Sequence, residues 1–236
     1  MRSLLIRPVY LAALLAFAAG TLATTLWFKR RPSLPASGQE LLAAAPPASR
    51  FGWFHDFNVQ LLQAYPQRGD VVLLGDSITQ YGAWHRLLPD VAIVNQGIAG
   101  DTIDGLIDRI GSAYTSGART AVVTIGTNNI VTGKLKADSF FAKWAGLIED
   151  LRAHGLAVVV VSIPATLSPI INAQIHAMNA RLKAHCEARP CRYVDLNATL
   201  APSGRIEGRY TFDGVHFTVA AYQAWAELLA PGLPSH

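Results

Sequence analysis

The sequence predicts an α/β domain built on a five-stranded parallel sheet. Short apolar runs alternate with segments of helical periodicity from Trp53 to Leu229, the order expected when each strand returns to the same sheet through a helix. The run Val158 to Val161 is continuous in Val, as in strands covered on both faces. Three successive strands run into polar, Gly-containing turns, and in open α/β sheets a ligand site lies outside the carboxyl ends of the strands.

The elements follow in order. Trp53 to Tyr65 carries Phe54, Phe57, Leu61 and Leu62 at helical spacing and ends at Pro66, which predicts a helix packed beneath the sheet. Val71 to Leu74 is the first strand, opening into Gly75-Asp76-Ser77-Ile78-Thr79. Val91 to Val94 is the second, followed by the turn Asn95 to Thr102 and a helix marked by Leu106, Ile107 and Ile110. Thr120 to Ile125 is the third, ending in Gly126-Thr127-Asn128-Asn129. Phe140 to His154 is a helix stopped by Gly155. Leu156 to Ile163 is the fourth strand, Ile171 to Ala188 a helix, Tyr193 to Leu196 the last strand, and Val219 to Leu229 a closing helix.

Ahead of this domain, taken as residues 51–236, lies a different kind of sequence. Val9 to Phe28 contains no charged residue in 20 positions, long enough to cross a bilayer. Arg2 and Arg7 precede it, and Lys29, Arg30 and Arg31 follow. Ala16-Phe17-Ala18 also fits a signal-peptidase site, but cleavage there leaves Thr21 to Phe28 as an apolar new N-terminus. Residues 1–31 are therefore expected to be an uncleaved membrane anchor, with the domain outside the cytoplasm in a periplasmic setting. Residues 32–50, rich in Pro, Ala and Ser, read as a tether. The anchor also explains the charge. Residues 1–31 hold five Lys or Arg and no acid, which leaves 15 bases against 16 acids for the rest of the 236-residue chain. No basic stripe interleaved with aromatics points to nucleic acid. Cys186 and Cys191 fit either a small disulfide loop in an oxidising compartment or two unpaired thiols; zinc is disfavoured, because only His185 lies nearby.

Two stretches carry chemistry. Ser77 follows a strand at once and stands at a helix start, a good position for a nucleophile whose attack creates an oxyanion; Asp-Ser is equally ordinary turn and N-cap chemistry. In Thr211-Phe212-Asp213-Gly214-Val215-His216-Phe217, an Asp and a His three apart can pair, leaving the outer imidazole nitrogen for a serine. Alternatively, Asp213 is a turn former and His216 a helix-start residue. The other histidines, His55, His85, His154, His176 and His185, read as surface or half-buried. Asp76 reads as a brace for its turn, and Tyr222 and Trp225 as core.

Gly75-Asp76-Ser77, Gly100 in its turn, Gly126-x-Asn128 and Asp213-x-x-His216 occur in this order. Together they resemble the SGNH hydrolases, also called GDSL-type lipases and esterases, over residues 53 to 230. Asn95 to Thr102 with Gly126 to Asn129 is similar to the branch of platelet-activating-factor acetylhydrolase catalytic subunits and lysophospholipase-like esterases. The resemblance implies a three-layer α/β/α architecture with a flavodoxin-like five-stranded parallel sheet. It also implies Ser77 as nucleophile, His216 as general base and Asp213 as its orienting partner. The oxyanion hole would be formed by the Ser77 and Gly100 N–H groups and the Asn128 amide. No metal or cofactor is implied. Ile78 replaces the Leu of the family's name, and Asn129 stands where many members have Asp, a position that is not catalytic there. No Gly-x-Ser-x-Gly elbow occurs, which disfavours the α/β-hydrolase fold proper.

The expected function is a serine esterase that cleaves short-chain or acetyl O-esters of a small molecule, lipid or carbohydrate through an acyl-enzyme. Ile130, Val131, Pro164 and Thr166 are the expected substrate-binding walls. The rival readings are an acyltransferase acting on cell-surface polysaccharide and a non-catalytic ligand-binding module.

Overall fold

The computed structural model describes residues 52–132 and 136–234. The anchor read at Val9 to Phe28 and the tether at 32–50 lie outside the described residues. Among the described residues, no helix is long and apolar enough to cross a membrane.

Five strands, β1 (Val71–Gly75), β2 (Ile93–Gly97), β3 (Thr120–Thr124), β4 (Ala157–Val161) and β5 (Arg192–Val194), form one parallel sheet in the order β2-β1-β3-β4-β5. The helices are α1 (Trp53–Ala64), α2 (Ser77–Gln80), α3 (Trp84–Leu87), α4 (Ile103–Asp108), α5 (Gly111–Tyr114), α6 (Thr127–Val131), α7 (Ala137–Ala153), α8 (Pro169–Ala188), α9 (Asn197–Leu200) and α10 (Val219–Leu229). The chain steps from β1 to β2 on one side, then crosses back to β3 on the other. That reversal leaves a crevice above the end of β1. The register pairs Gly75 with Gly97 and with Thr124, so the three strands reach the crevice at one level.

Alternation along the strands divides the core into two layers. Val72, Leu74, Ala121, Val123, Val158 and Val160 face a layer built with α4, α7 and α8, including Leu106, Trp144 and Leu182. Val71, Leu73, Val122, Val159 and Val161 face the other, with Ile78, Trp84, Tyr222 and Trp225 from α2, α3 and α10. Both faces are covered, which is why the strands read as unbroken apolar runs.

Two expectations need correction. The second strand, read as Val91 to Val94, runs to Gly97. Its polar residues are tolerated because their partners are adjacent: Asn95 Nδ2 donates to the carbonyls of Thr79 and Gln80, and Gln96 Nε2 to that of Ser112. The first helix forms as expected, but not with the predicted face inward. Trp53 and Phe57 are 74% and 52% exposed, Phe54 and Leu61 are also exposed, and the buried residue of α1 is His55. The inward face is the one on which His55 lies 3.4 Å from Asp101; among the described residues the aromatic stripe is left exposed. Cys186 and Cys191 form a disulfide that joins the end of α8 to the approach to β5.

The packing yields a direct contrast. Trp144→Ala, in the first layer, should cost about 3–5 kcal/mol in urea unfolding, whereas Phe57→Ser, on the exposed stripe, should stay within about 0.5 kcal/mol of the parent.

Candidate active site

The turn after β1 is built by close approach. A Cβ on Gly75 would stand 2.3 Å from the Thr124 carbonyl oxygen and 2.1 Å from Thr79 Oγ1, so only glycine lets β1 end against β3 with α2 folded over it. Asp76 then caps α2, its Oδ1 accepting from the Ile78 N–H at 3.0 Å. This makes Ser77 the first residue of α2, with its side chain at the crevice. Asp76 is itself buried. Burial first, and the Asp101 charge after it, pushes its carboxyl up to about 7, against the Ile78 amide and His216, which pull it down.

A second loop brings the base. Thr211 and Phe217 form an antiparallel bridge, and the Phe212 N–H donates to the His216 carbonyl at 3.1 Å. The residues between them turn back sharply, with Thr211 Oγ1 accepting from the Gly214 N–H at 2.9 Å. Inside this turn, Asp213 Oδ1 accepts from the Val215 and His216 N–H groups at 2.9 and 2.8 Å, and Oδ2 lies 2.7 Å from His216 Nδ1. These bonds hold the Asp213 carboxylate down at about 2, the His216 side chain foremost. A carboxylate can only accept, so Nδ1 carries a proton, which in the neutral ring leaves the lone pair on Nε2. Nε2 stands 3.0 Å from Ser77 Oγ. The structure thus joins Ser77, His216 and Asp213 in one hydrogen-bonded line across 139 residues of chain. Such a line can draw the proton from a serine during attack.

The loops after β2 and β3 are tied to each other at the same edge of the sheet. Gly100 has φ +80° with open space where a side chain would be, a conformation that suits glycine. Asn128 Nδ2 donates to the Asp101 carbonyl at 2.8 Å. That bond fixes the amide, which has a second hydrogen to offer. Asn129 has a different part: its Oδ1 accepts from the Ile103 N–H at 3.0 Å, at the start of α4.

Beneath these loops lies a group that the sequence reading missed. Arg109 is buried; its Nε donates to Asp101 Oδ2 at 2.8 Å, and its Nη2 donates to the Gly75 carbonyl at 3.1 Å. Burial pulls its pKa down, and Asp101 opposes this. The signal was present in the sequence. Arg109 stands three residues after Leu106, on an inward helical face where a cation requires an anion. His55, expected at the surface or half-buried, is buried beside Asp101 and Asp56.

Of the four expected substrate walls, Ile130, Pro164 and Thr166 are buried, and Val131 is 51% exposed. The Thr166 hydroxyl is tied to Asn172 and accepts from the Ser168 N–H, both at 3.0 Å, so it braces its own loop. A cavity of about 480 Å³ beneath α1 includes neither Ser77 nor His216; one of about 330 Å³ is walled in part by the His216 ring. Among the described residues, no group of three or more His, Cys, Asp or Glu is placed to hold a metal ion.

Known proteins share this architecture. The profile of the GDSL-like Lipase/Acylhydrolase family matches residues 73–224. A Bacteroides thetaiotaomicron GDSL-like lipase superimposes with a TM-score of 0.65 at 24% identity, covering 75% of this chain and 95% of its own. An acetyl xylan esterase does so with a TM-score of 0.61 at 19% identity, covering 70% and 99%. In sequence, an N-acylneuraminate cytidylyltransferase from Streptococcus agalactiae is 26% identical over 155 residues, 64% of this chain but 35% of that protein. The chain therefore spans about a third of the length of the curated relatives it matches.

Asp76 gives a prediction whose sign can be fixed. Its folded pKa of about 7 lies above the ordinary 3.8, so the folded state holds the proton more tightly than the unfolded chain. Its contribution to stability is full below the unfolded value and is lost as pH rises from about 4 to about 7. Urea unfolding across that range should show the parent losing up to a few kcal/mol relative to Asp76→Asn, with no further divergence at higher pH.

Proposed function

Because the chain belongs to the GDSL-like lipase/acylhydrolase family, we propose that it is a serine esterase that hydrolyses short-chain O-acyl esters through an acyl-enzyme at Ser77. The observation that carries this reading is the Ser77–His216–Asp213 line at the strand-order reversal, with Gly100 and Asn128 on the loops that follow the two strands flanking β1.

In the proposed reaction, Ser77 Oγ attacks the ester carbonyl carbon as its proton passes to His216 Nε2. The carbonyl oxygen becomes an anion held by the Ser77 and Gly100 N–H groups and the Asn128 amide. These donors are neutral at every working pH. Asp213, ionised down to about pH 2, steadies the imidazolium. The tetrahedral centre collapses, the carbon–alkoxide bond breaks, and His216 gives its proton to the leaving oxygen. Water then repeats the sequence on the acyl-enzyme and releases the acid. The name of the acetyl xylan esterase that shares the fold supports a short acyl group. The Cys186–Cys191 disulfide and the uncharged run Val9 to Phe28 support a membrane-tethered domain outside the cytoplasm.

The test is turnover of p-nitrophenyl esters, from acetate to long chains, by the full chain. Ser77→Ala should abolish it, and Asp213→Asn should lower kcat about 10³–10⁴-fold. Unchanged turnover in Ser77→Ala would remove Ser77 from the reaction. Asn128→Ala should lower kcat about 10²–10³-fold with little change in KM, the signature of a donor that acts in the transition state.

A further inference from the structure

We propose that the cavity beside His216 seats the alcohol half of the ester, and that this alcohol is apolar, an alkyl chain or single aryl ring rather than a sugar. This rests on the reading of Ser77 and His216 given above.

The direction follows from the two faces of the sheet. Gly100 and Asn128 stand on the loops leading into α4 and α6, whose Ile103 and Ile130 belong to one core layer. His216 stands on the loop leading into α10, whose Tyr222 and Trp225 belong to the other. A carbonyl above Ser77 that turns its oxygen toward Gly100 and Asn128 turns its leaving group toward His216. The proton transfer demands the same, because the alkoxide oxygen must come within hydrogen-bond reach of Nε2.

On that side lies the cavity of about 330 Å³, lined by Tyr81, Leu87, Phe212, Val219 and Tyr222, with the His216 ring as one wall. Its volume is at the small end for ligand sites, enough for one ring or a short chain. The Tyr222 hydroxyl is already committed, donating to the Ile78 carbonyl at 2.8 Å, so the lining offers ring faces and methyl groups and very few hydrogen-bonding atoms. A sugar placed there would lose water without replacing its bonds. An alkyl or aryl group loses nothing of that kind. The rim is as informative as the floor. Tyr81, Phe212 and Val219 are 57%, 79% and 69% exposed, and the Tyr81 ring centroid lies 5.8 Å from that of His216. Large apolar side chains clustered in solvent at a reactive group mark a binding surface.

The experiment holds the acyl group at acetate and varies the alcohol: methyl, propyl, butyl, hexyl and benzyl acetates against glycerol triacetate and acetylated xylose. It measures kcat/KM for the full chain and for Phe212→Ala and Val219→Ser, two exposed positions changed separately. In the parent, kcat/KM should rise up to about fourfold per methylene until the cavity is full, and benzyl acetate should exceed both polyol esters. Each variant should shrink the ratio of hexyl to methyl acetate. A flat series or a preference for acetylated xylose, with turnover that still requires Ser77, would overturn the alcohol site while leaving the esterase reading intact. Failure of every ester to turn over in a Ser77-dependent way would overturn that reading, and the alcohol site with it.

Discussion

Arg109 and Asp101 form a buried ion pair directly below the crevice, and the strand ends around the proposed site are tied to it. The guanidinium holds the Gly75 carbonyl at the end of β1. The carboxylate belongs to the loop after β2, and the carbonyl of the same residue fixes Asn128 after β3. His55 of α1 packs against it from outside. A buried pair contributes little net stability, because desolvation offsets most of the attraction, but losing one partner leaves an unpaired charge in the core and costs about 3–5 kcal/mol. Such a pair therefore acts as a constraint on arrangement. The loops can meet only in the geometry that satisfies both ions.

Much of the fold was legible because its signals are local. Strands buried on both faces are short, continuous and bounded by Gly or polar residues, and all five were found, though the second was cut short. That error arose because Asn95 and Gln96 are satisfied by main-chain groups of α2 and by Ser112, partners distant in sequence. α1 misled for the opposite reason. Its Phe54, Phe57 and Leu61 have the periodicity of a core face, yet the helix turns them outward. Periodicity locates a stripe but does not say what covers it.

The proposed site divides in the same way. Ser77 and the Asp213–His216 pair could be picked out because a reactive side chain on a tight turn stands apart in sequence, and the order of the four turns gave them a common meaning. Arg109, His55 and the Asp101 carboxylate escaped because the spacing that turns Arg109 inward does not name the residues it meets, and their roles lie in those contacts. Thr166 was placed on a wall by its proximity to β4, whereas its hydroxyl is drawn into its own loop by Asn172. A residue's neighbours in the chain suggested where it is; only its hydrogen bonds determined which way it faces.

The origin of the proposed base has a consequence for when the protein becomes competent. Ser77, Gly100 and Asn128 all precede residue 130, whereas Asp213 and His216 arrive with α10, which also supplies Tyr222 and Trp225 to seal one face of the sheet over Ile78 and Trp84. During synthesis the half of the site proposed to hold the anion emerges well before the half proposed to handle the proton. The late half cannot be seated without finishing the core. Until α10 is seated, Ser77 therefore stands without the base proposed for it, and on that reading competence waits for the event that completes the core.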